Sequence, residues 1–186
     1  PEKEIIIPSY YVLPKSEGKI IENLKRNQIS MKELKKDTLM AVESYKISDF
    51  KTGKNPYEGH YLHYDTQVAS KQETLLFKKG DYLVSTKQEG VKFLLETLEP
   101  EAVDSYFNWN FFDGILSQKE YFSDYVFEDT AADLLKNNKA LKTAFEMKKA
   151  TDIKFANDGA AQLDWVYKNS EYYEGTVNLY PVYRIP

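Results

Sequence analysis

The chain contains no cysteine. That one absence removes disulfides, zinc–thiolate centres and thiol nucleophiles together. It leaves the compartment open, because cysteine-free domains occur inside and outside cells. Histidine is almost absent too: His60 and His63 are the only two in 186 residues. No Gly-rich phosphate loop and no Gly-x-Ser-x-Gly elbow occurs. No apolar run approaches the roughly 18–20 residues that span a bilayer. The opening Pro1-Glu2-Lys3-Glu4 followed by three isoleucines lacks the length and the small-residue cleavage site of a signal peptide. An initial proline reads as the start of a trimmed or mature fragment, so missing targeting information says little. Basic residues are never more than two adjacent, as at Lys35-Lys36 and Lys148-Lys149, and the net charge is −4. Phosphate backbones need clustered cations, so nucleic acid is disfavoured as a partner, and a membrane likewise.

What is present is ordinary in bulk and unusual in detail. Apolar residues make up 42% and charged residues 29%, as in a globular protein. A chain of this length should bury roughly 70% of its unfolded surface without a staple. Aromatics are in excess, with 15 Tyr and 10 Phe, which suits strands and recognition surfaces. They are densest in Leu98 to Gly114, where Tyr106, Phe107, Trp109, Phe111 and Phe112 follow the acids Glu99, Glu101 and Asp104. This stretch is expected to cross the core, with Asp104-Ser105 capping a helix through Tyr106 to Phe112.

Before it, Ile5-Ile6-Ile7 and Tyr10 to Leu13 read as extended pieces between prolines. Ser16 is placed to cap a helix carrying Ile20, Ile21 and Leu24 and ending near Asn27, after which Ile29 to Leu34 restarts the chain. This predicts a small β-α-β opening. Met40 to Phe50 and Tyr57 to Val68 alternate as strands around a turn at 51–56. Thr74 to Phe77 and Tyr82 to Thr86 flank Lys78-Lys79-Gly80-Asp81 as a hairpin. Val91, Leu94, Leu95 and Leu98 form an apolar-periodic run. Past Gly114, Asp129 and Asn138 are placed to cap two helices, and Ala160, Leu163, Val166 and Tyr167 give a third, ending near Asn169-Ser170. Val177 to Pro186 reads as a last strand. The expectation is one α+β domain over 1–186, with possible sublobes 1–50 (α/β), 51–126 (β-rich) and 127–186 (helical).

Catalytic equipment is sparse. A zinc site needs ligands converging at about 2.0–2.2 Å, and on a strand the offset between His60 and His63 sends their rings to opposite faces. Paired carboxylates among Glu99, Glu101 and Asp104 would suit glycoside hydrolysis, but acids around a proline also serve helix ends. The residues singled out for binding or an interface are Tyr57, Glu58, His60, Glu99, Asp104, Trp109 and Asn110. One reading makes them an aromatic platform for glycans or peptides, with Trp109 as the stacking ring.

Several strings carry a resemblance. Tyr57-Glu58-Gly59-His60, Gly80-Asp81-Tyr82-Leu83-Val84 with Gln88, and Leu98-Glu99-Pro100-Glu101 with Asp104-Ser105, Trp109-Asn110 and Phe111-Phe112-Asp113 are among them. So are Gln118 to Phe122, Tyr125 to Ala131 and the ending Tyr180-Pro181-Val182-Tyr183-Arg184. Together they resemble the C-terminal region of bacterial zinc carboxypeptidases of the carboxypeptidase A-like type, particularly Bacteroidetes members, over nearly the whole chain. The resemblance implies a periplasmic or extracellular metallopeptidase whose zinc-binding catalytic domain lies upstream on the same polypeptide. Such enzymes hold zinc with a His-x-x-Glu pair and a distant His. Here the third residue after His60 is His63, and the third after His63 is Thr66. No catalytic or metal-ligating residue carries over, so the chain is expected to be a non-catalytic accessory domain without a cofactor of its own. Its expected partners are the peptidase domain and, through it, peptide substrate.

Overall fold

The computed structural model describes residues 4–119 and 121–186. Pro1 to Lys3, part of the leader reading, and Glu120, in one resemblance string, lie outside the described residues. Two compact units are formed: one contains the chain up to Ser117 plus Thr176–Pro186, the other Gln118–Gly175. The α+β class is as expected.

The first unit is built on a six-stranded antiparallel sheet. Its strands are β1 (Tyr10–Leu13), β2 (Lys32–Glu33), β3 (Thr38–Thr52), β4 (His63–Phe77), β5 (Tyr82–Ser85) and β6 (Tyr183–Ile185), in the order β2-β5-β1-β6-β3-β4. Alternation along β1 sends Tyr11 and Leu13 into the main core and Val12 into a smaller cluster with Val42 and Phe77. Helix α1 (Gly18–Arg26) buries Ile20, Ile21 and Leu24, and α2 (Val91–Leu98) buries Leu94 and Leu98. Gly90, just before α2, permits a close approach: a Cβ there would stand 2.3 Å from Ile29 Cδ1.

Several local expectations are corrected. Residues 5–7 form no strand. The β-α-β opening forms as β1, α1 and a two-residue β2, with β5 inserted antiparallel between the two strands, so that β2 pairs with β5 and not directly with β1. Ser16 does not cap α1: Glu17 occupies that position without a side-chain cap bond. Strand β4 starts only at His63, because Tyr57 to His60 closes a tight turn with Glu58 and Gly59 at φ 49° and 81°. The anticipated hairpin across 78–81 does not form, since β4 pairs with β3 and β5 with β1 and β2. Asp81 accounts for this: its carboxylate accepts N–H bonds from Lys78 (2.7 Å) and Lys15 (2.9 Å), turning the chain towards β1. Tyr106 to Phe112 forms successive turns, and only Asp113–Leu116 makes a short 3₁₀ helix. Ser105 stabilises those turns by accepting the Asn108 N–H at 3.0 Å. Of the final strand expected over Val177 to Pro186 only Tyr183–Ile185 forms, and it lies inside the sheet between β1 and β3.

The second unit contains α3 (Asp124–Asn137), α4 (Lys139–Thr151), α5 (Ile153–Ala156) and α6 (Gly159–Lys168). Asn138, Asp152 and Asp158 each accept a backbone N–H three residues on, at 3.0, 3.1 and 2.9 Å, and so start α4, α5 and α6. Asp129 lies inside α3 instead of capping it. Phe127, Ala131, Leu141, Phe145, Phe155, Val166 and Tyr167 make the core of this unit.

Candidate functional site

Two groups of side chains in the first unit stand apart from simple packing. The first is a row of polar residues across three strands. Register places Tyr11 on β1 opposite Arg184 on β6, and Arg184 opposite Glu43 on β3. Glu99, leaving the end of α2, closes the row from outside the sheet. Tyr11 donates its hydroxyl to Glu99 Oε1 at 2.5 Å. One Arg184 terminal nitrogen donates to Glu43 Oε2 at 2.5 Å and to the Tyr45 hydroxyl, and the other donates to the Ile6 carbonyl. Glu99 is 3% exposed and Arg184 7%.

Burial governs the protonation of this row. It pushes the Glu99 carboxyl above the usual carboxylate range, with Glu43 and Glu101 acting in the same sense against Tyr11 and Arg184. Burial and then the Glu99 charge raise Tyr45 to about 12 and take Tyr11 higher still. A cavity of about 380 Å³ opens here, bordered by Glu43, Tyr45, Glu99, Glu101 and Arg184 among others. A buried carboxyl with a raised pKa beside a cavity is a recognised acid–base candidate. In this row, however, Glu99 already accepts from Tyr11 and faces Arg184.

The second group is aromatic. Asn110 adopts φ 65° and donates its amide to the Tyr61 carbonyl at 2.9 Å, tying the turns after α2 to the 57–62 loop. Trp109 then meets Tyr57 at 6.1 Å and His60 at 5.6 Å between ring centroids, and Phe111 stacks on His60 at 6.2 Å. Below them His63, 6% exposed, packs against Phe50 and Phe107. Its Nε2 lies 3.0 Å from Asp113 Oδ1 and 3.2 Å from the Asn110 amide nitrogen. One ring nitrogen cannot donate to the acid and accept from the amide. The shorter contact, to a carboxylate that can only accept, makes Nε2–H the donor, and Nδ1 lies 2.9 Å from the Thr52 hydroxyl.

The residues singled out in the sequence therefore divide. Tyr57, Glu58, His60, Trp109 and Asn110 come together in the aromatic corner, and Asp104 joins them through a long indole N–H contact of 3.5 Å from Trp109. Glu99 belongs to the buried row. Glu101 borders the cavity at the buried row and also a second one, which opens beside the aromatic corner. His60 lies in a turn and His63 on a strand, so they do not share the single strand first expected. Among the described residues no three His, Asp or Glu side chains gather as metal ligands. Trp109 is only half-buried, and its ring contacts those of Tyr57 and His60. Sequence reasoning passed over Arg184, Tyr11, Tyr64 and the His63–Asp113 contact. Arg184 had a readable signal as a lone cation in the apolar run Val182-Tyr183-Arg184-Ile185.

Comparison with protein-family models, curated proteins and solved structures returns no match. Among the described residues no helix is long and apolar enough to cross a membrane.

Proposed function

We propose that this chain is a non-catalytic accessory domain of a periplasmic or extracellular zinc carboxypeptidase, packing on or shaping access to a peptidase domain upstream on the same polypeptide. In this reading zinc and the peptide substrate belong to the peptidase domain. The resemblance strings supply the family. The observation that carries the accessory role is how the polar residues of those strings are used. Glu99 is taken up by Tyr11 and Arg184, Asp81 by two backbone N–H groups, Asp113 by His63 and Asn110 by the Tyr61 carbonyl. In this reading these polar groups serve to hold the loops to the sheet.

The test has two arms. The upstream reading frame should encode a His-x-x-Glu zinc site. The isolated chain should bind no stoichiometric zinc and release no C-terminal residue from peptides. Peptide trimming by the isolated chain that a chelator abolishes would overturn the reading.

A further inference from the structure

A second cavity, of about 510 Å³, opens beside the aromatic corner and has no part in the accessory role. Asn55 and Tyr57 after β3, Tyr64 and Asp65 at the start of β4, and Glu101 and Val103 after α2 contribute to its wall. Its size lies within the roughly 300–1,000 Å³ of small-molecule sites. Tyr57 is 59% exposed and Tyr64 47%, so both offer ring surface to solvent. The polar part of the wall is held in place: Thr66 donates to Asn108 Oδ1 at 2.8 Å, and the Asn108 amide donates to the Ala102 carbonyl at 2.8 Å. Of the five non-glycine residues with positive φ among the described residues, Glu58, Asp65 and Asn110 lie in this corner. Such conformations carry a backbone cost and gather at sites.

We propose that this cavity binds a neutral, hydroxyl-rich sugar ring of an oligosaccharide. Tyrosine presents a flat apolar face, which suits the C–H face of a pyranose, and a hydroxyl at its tip for the ring substituents. The Asn55 amide both donates and accepts, and Asp65 accepts, which matches neighbouring sugar hydroxyls. Anionic ligands meet Asp65 and Glu101, and Lys51 is held by Asp65 at 2.7 Å. An extended peptide added to the β4 edge meets the irregularity between Asp49 and Lys51 of β3 and the left-handed Asp65, which interrupt the ladder beside the cavity. The proposal is independent of the accessory-domain reading, and either can fail without the other.

The experiment is a ¹H–¹⁵N titration of the full 186-residue chain with cellopentaose, chitopentaose and mannopentaose, and separately with trigalacturonate and an unstructured decapeptide. At least one neutral sugar should shift the amides of Asn55, Tyr64 and Asp65 saturably, with Kd below about 1 mM. Tyr64→Ala and Asn55→Ala, both at solvent-exposed positions, should each weaken that binding at least about tenfold. Asp65→Asn, which tolerates the same backbone conformation, should do likewise if Tyr64→Ala fails to fold. No shift with any neutral sugar up to about 10 mM overturns the proposal, as do shifts confined elsewhere. Tighter binding of trigalacturonate or the peptide at these amides overturns it in favour of an anionic or peptide ligand.

Discussion

Arg184 Nε lies 3.1 Å from Glu99 Oε1, yet the approach is too oblique for a hydrogen bond, and among the described residues Nε–H is buried without an acceptor. The guanidinium is oriented instead by Glu43, Tyr45 and the Ile6 carbonyl, and Glu99 by the Tyr11 hydroxyl. Glu99 and Arg184 thus attract each other as charges while other groups fix their positions. Removing one charge of a buried pair leaves its partner desolvated and uncompensated.

Arg184→Met should therefore lower unfolding free energy by about 3–5 kcal/mol, since Glu43 and Glu99 both lose their cation. Glu99→Gln should cost less, because Arg184 keeps Glu43. Combining the two should cost less than the sum of the single changes, reflecting their shared partner. Urea denaturation of the four proteins measures this. Additive effects would mean that the contact contributes no coupling.

The same carboxyl sets a pH dependence. Burial raises the Glu99 pKa in the folded chain above its ordinary 4.5. Between those two values the folded state binds more protons than the unfolded state, so stability falls as pH rises. The contribution is full below pH 4.5 and is lost as pH climbs through the folded value. Exposed acids such as Asp37, whose pKa is lowered by the Lys79 N–H and Lys78, give the opposite slope at lower pH. Subtracting the Glu99→Gln curve from that of the parent protein isolates the Glu99 part. That difference should decline from about pH 4.5 upward; a flat difference would mean that Glu99 ionises as an ordinary surface acid.

Neighbouring aromatics should behave differently. Phe107 is fully buried between Phe50, His63 and Tyr180, so Phe107→Ala should cost about 3–5 kcal/mol. Trp109 is only partly buried and its indole N–H makes only a long contact with Asp104, so Trp109→Ala should cost about 1–2 kcal/mol. Thermal melts of the two variants would rank them. Equal losses would place Trp109 in the core.

Periodicity exposed what depends on single elements. Ile20, Ile21 and Leu24 announced α1, Asn138 announced the start of α4, and the alternation after Met40 announced β3. Pairing was less legible, because it depends on long-range register. Nothing local to Lys78-Lys79-Gly80-Asp81 reveals that Asp81 will bind the Lys15 N–H, and that contact replaces a hairpin with a crossing to β1. The aromatic corner was half visible. Tyr57, His60 and Trp109 were named from composition, but the Asn110–Tyr61 bond that joins them spans 49 residues. Glu99 looked like helix-end furniture, and its burial became legible only once β6, carrying Arg184, entered the middle of the sheet.

The helical unit offers a test of how independent the sheet is. Within that unit, the first and last segments are joined where the Lys119 N–H donates to Glu174 Oε2 at 2.7 Å. On the sheet side, the Asn178 N–H donates to the Ile115 carbonyl at 2.8 Å, so the segments entering and leaving the helical unit run side by side. Residues from Tyr180 onward are anchored within the first unit: the Tyr180 N–H binds the Tyr45 carbonyl at 2.8 Å, its hydroxyl binds the Leu98 carbonyl at the end of α2 at 2.9 Å, and β6 pairs with β1 and β3. Replacing 118–175 with a short Gly/Ser linker should therefore leave a folded sheet, since closing a loop between adjacent ends costs little and varies slowly with its length. The shortened protein should retain a cooperative urea transition and the dispersed amide signals of β1, β3 and β6. Loss of the β6 signals alone would mean that the helical unit, rather than Tyr180 and Arg184, holds the last strand in the sheet.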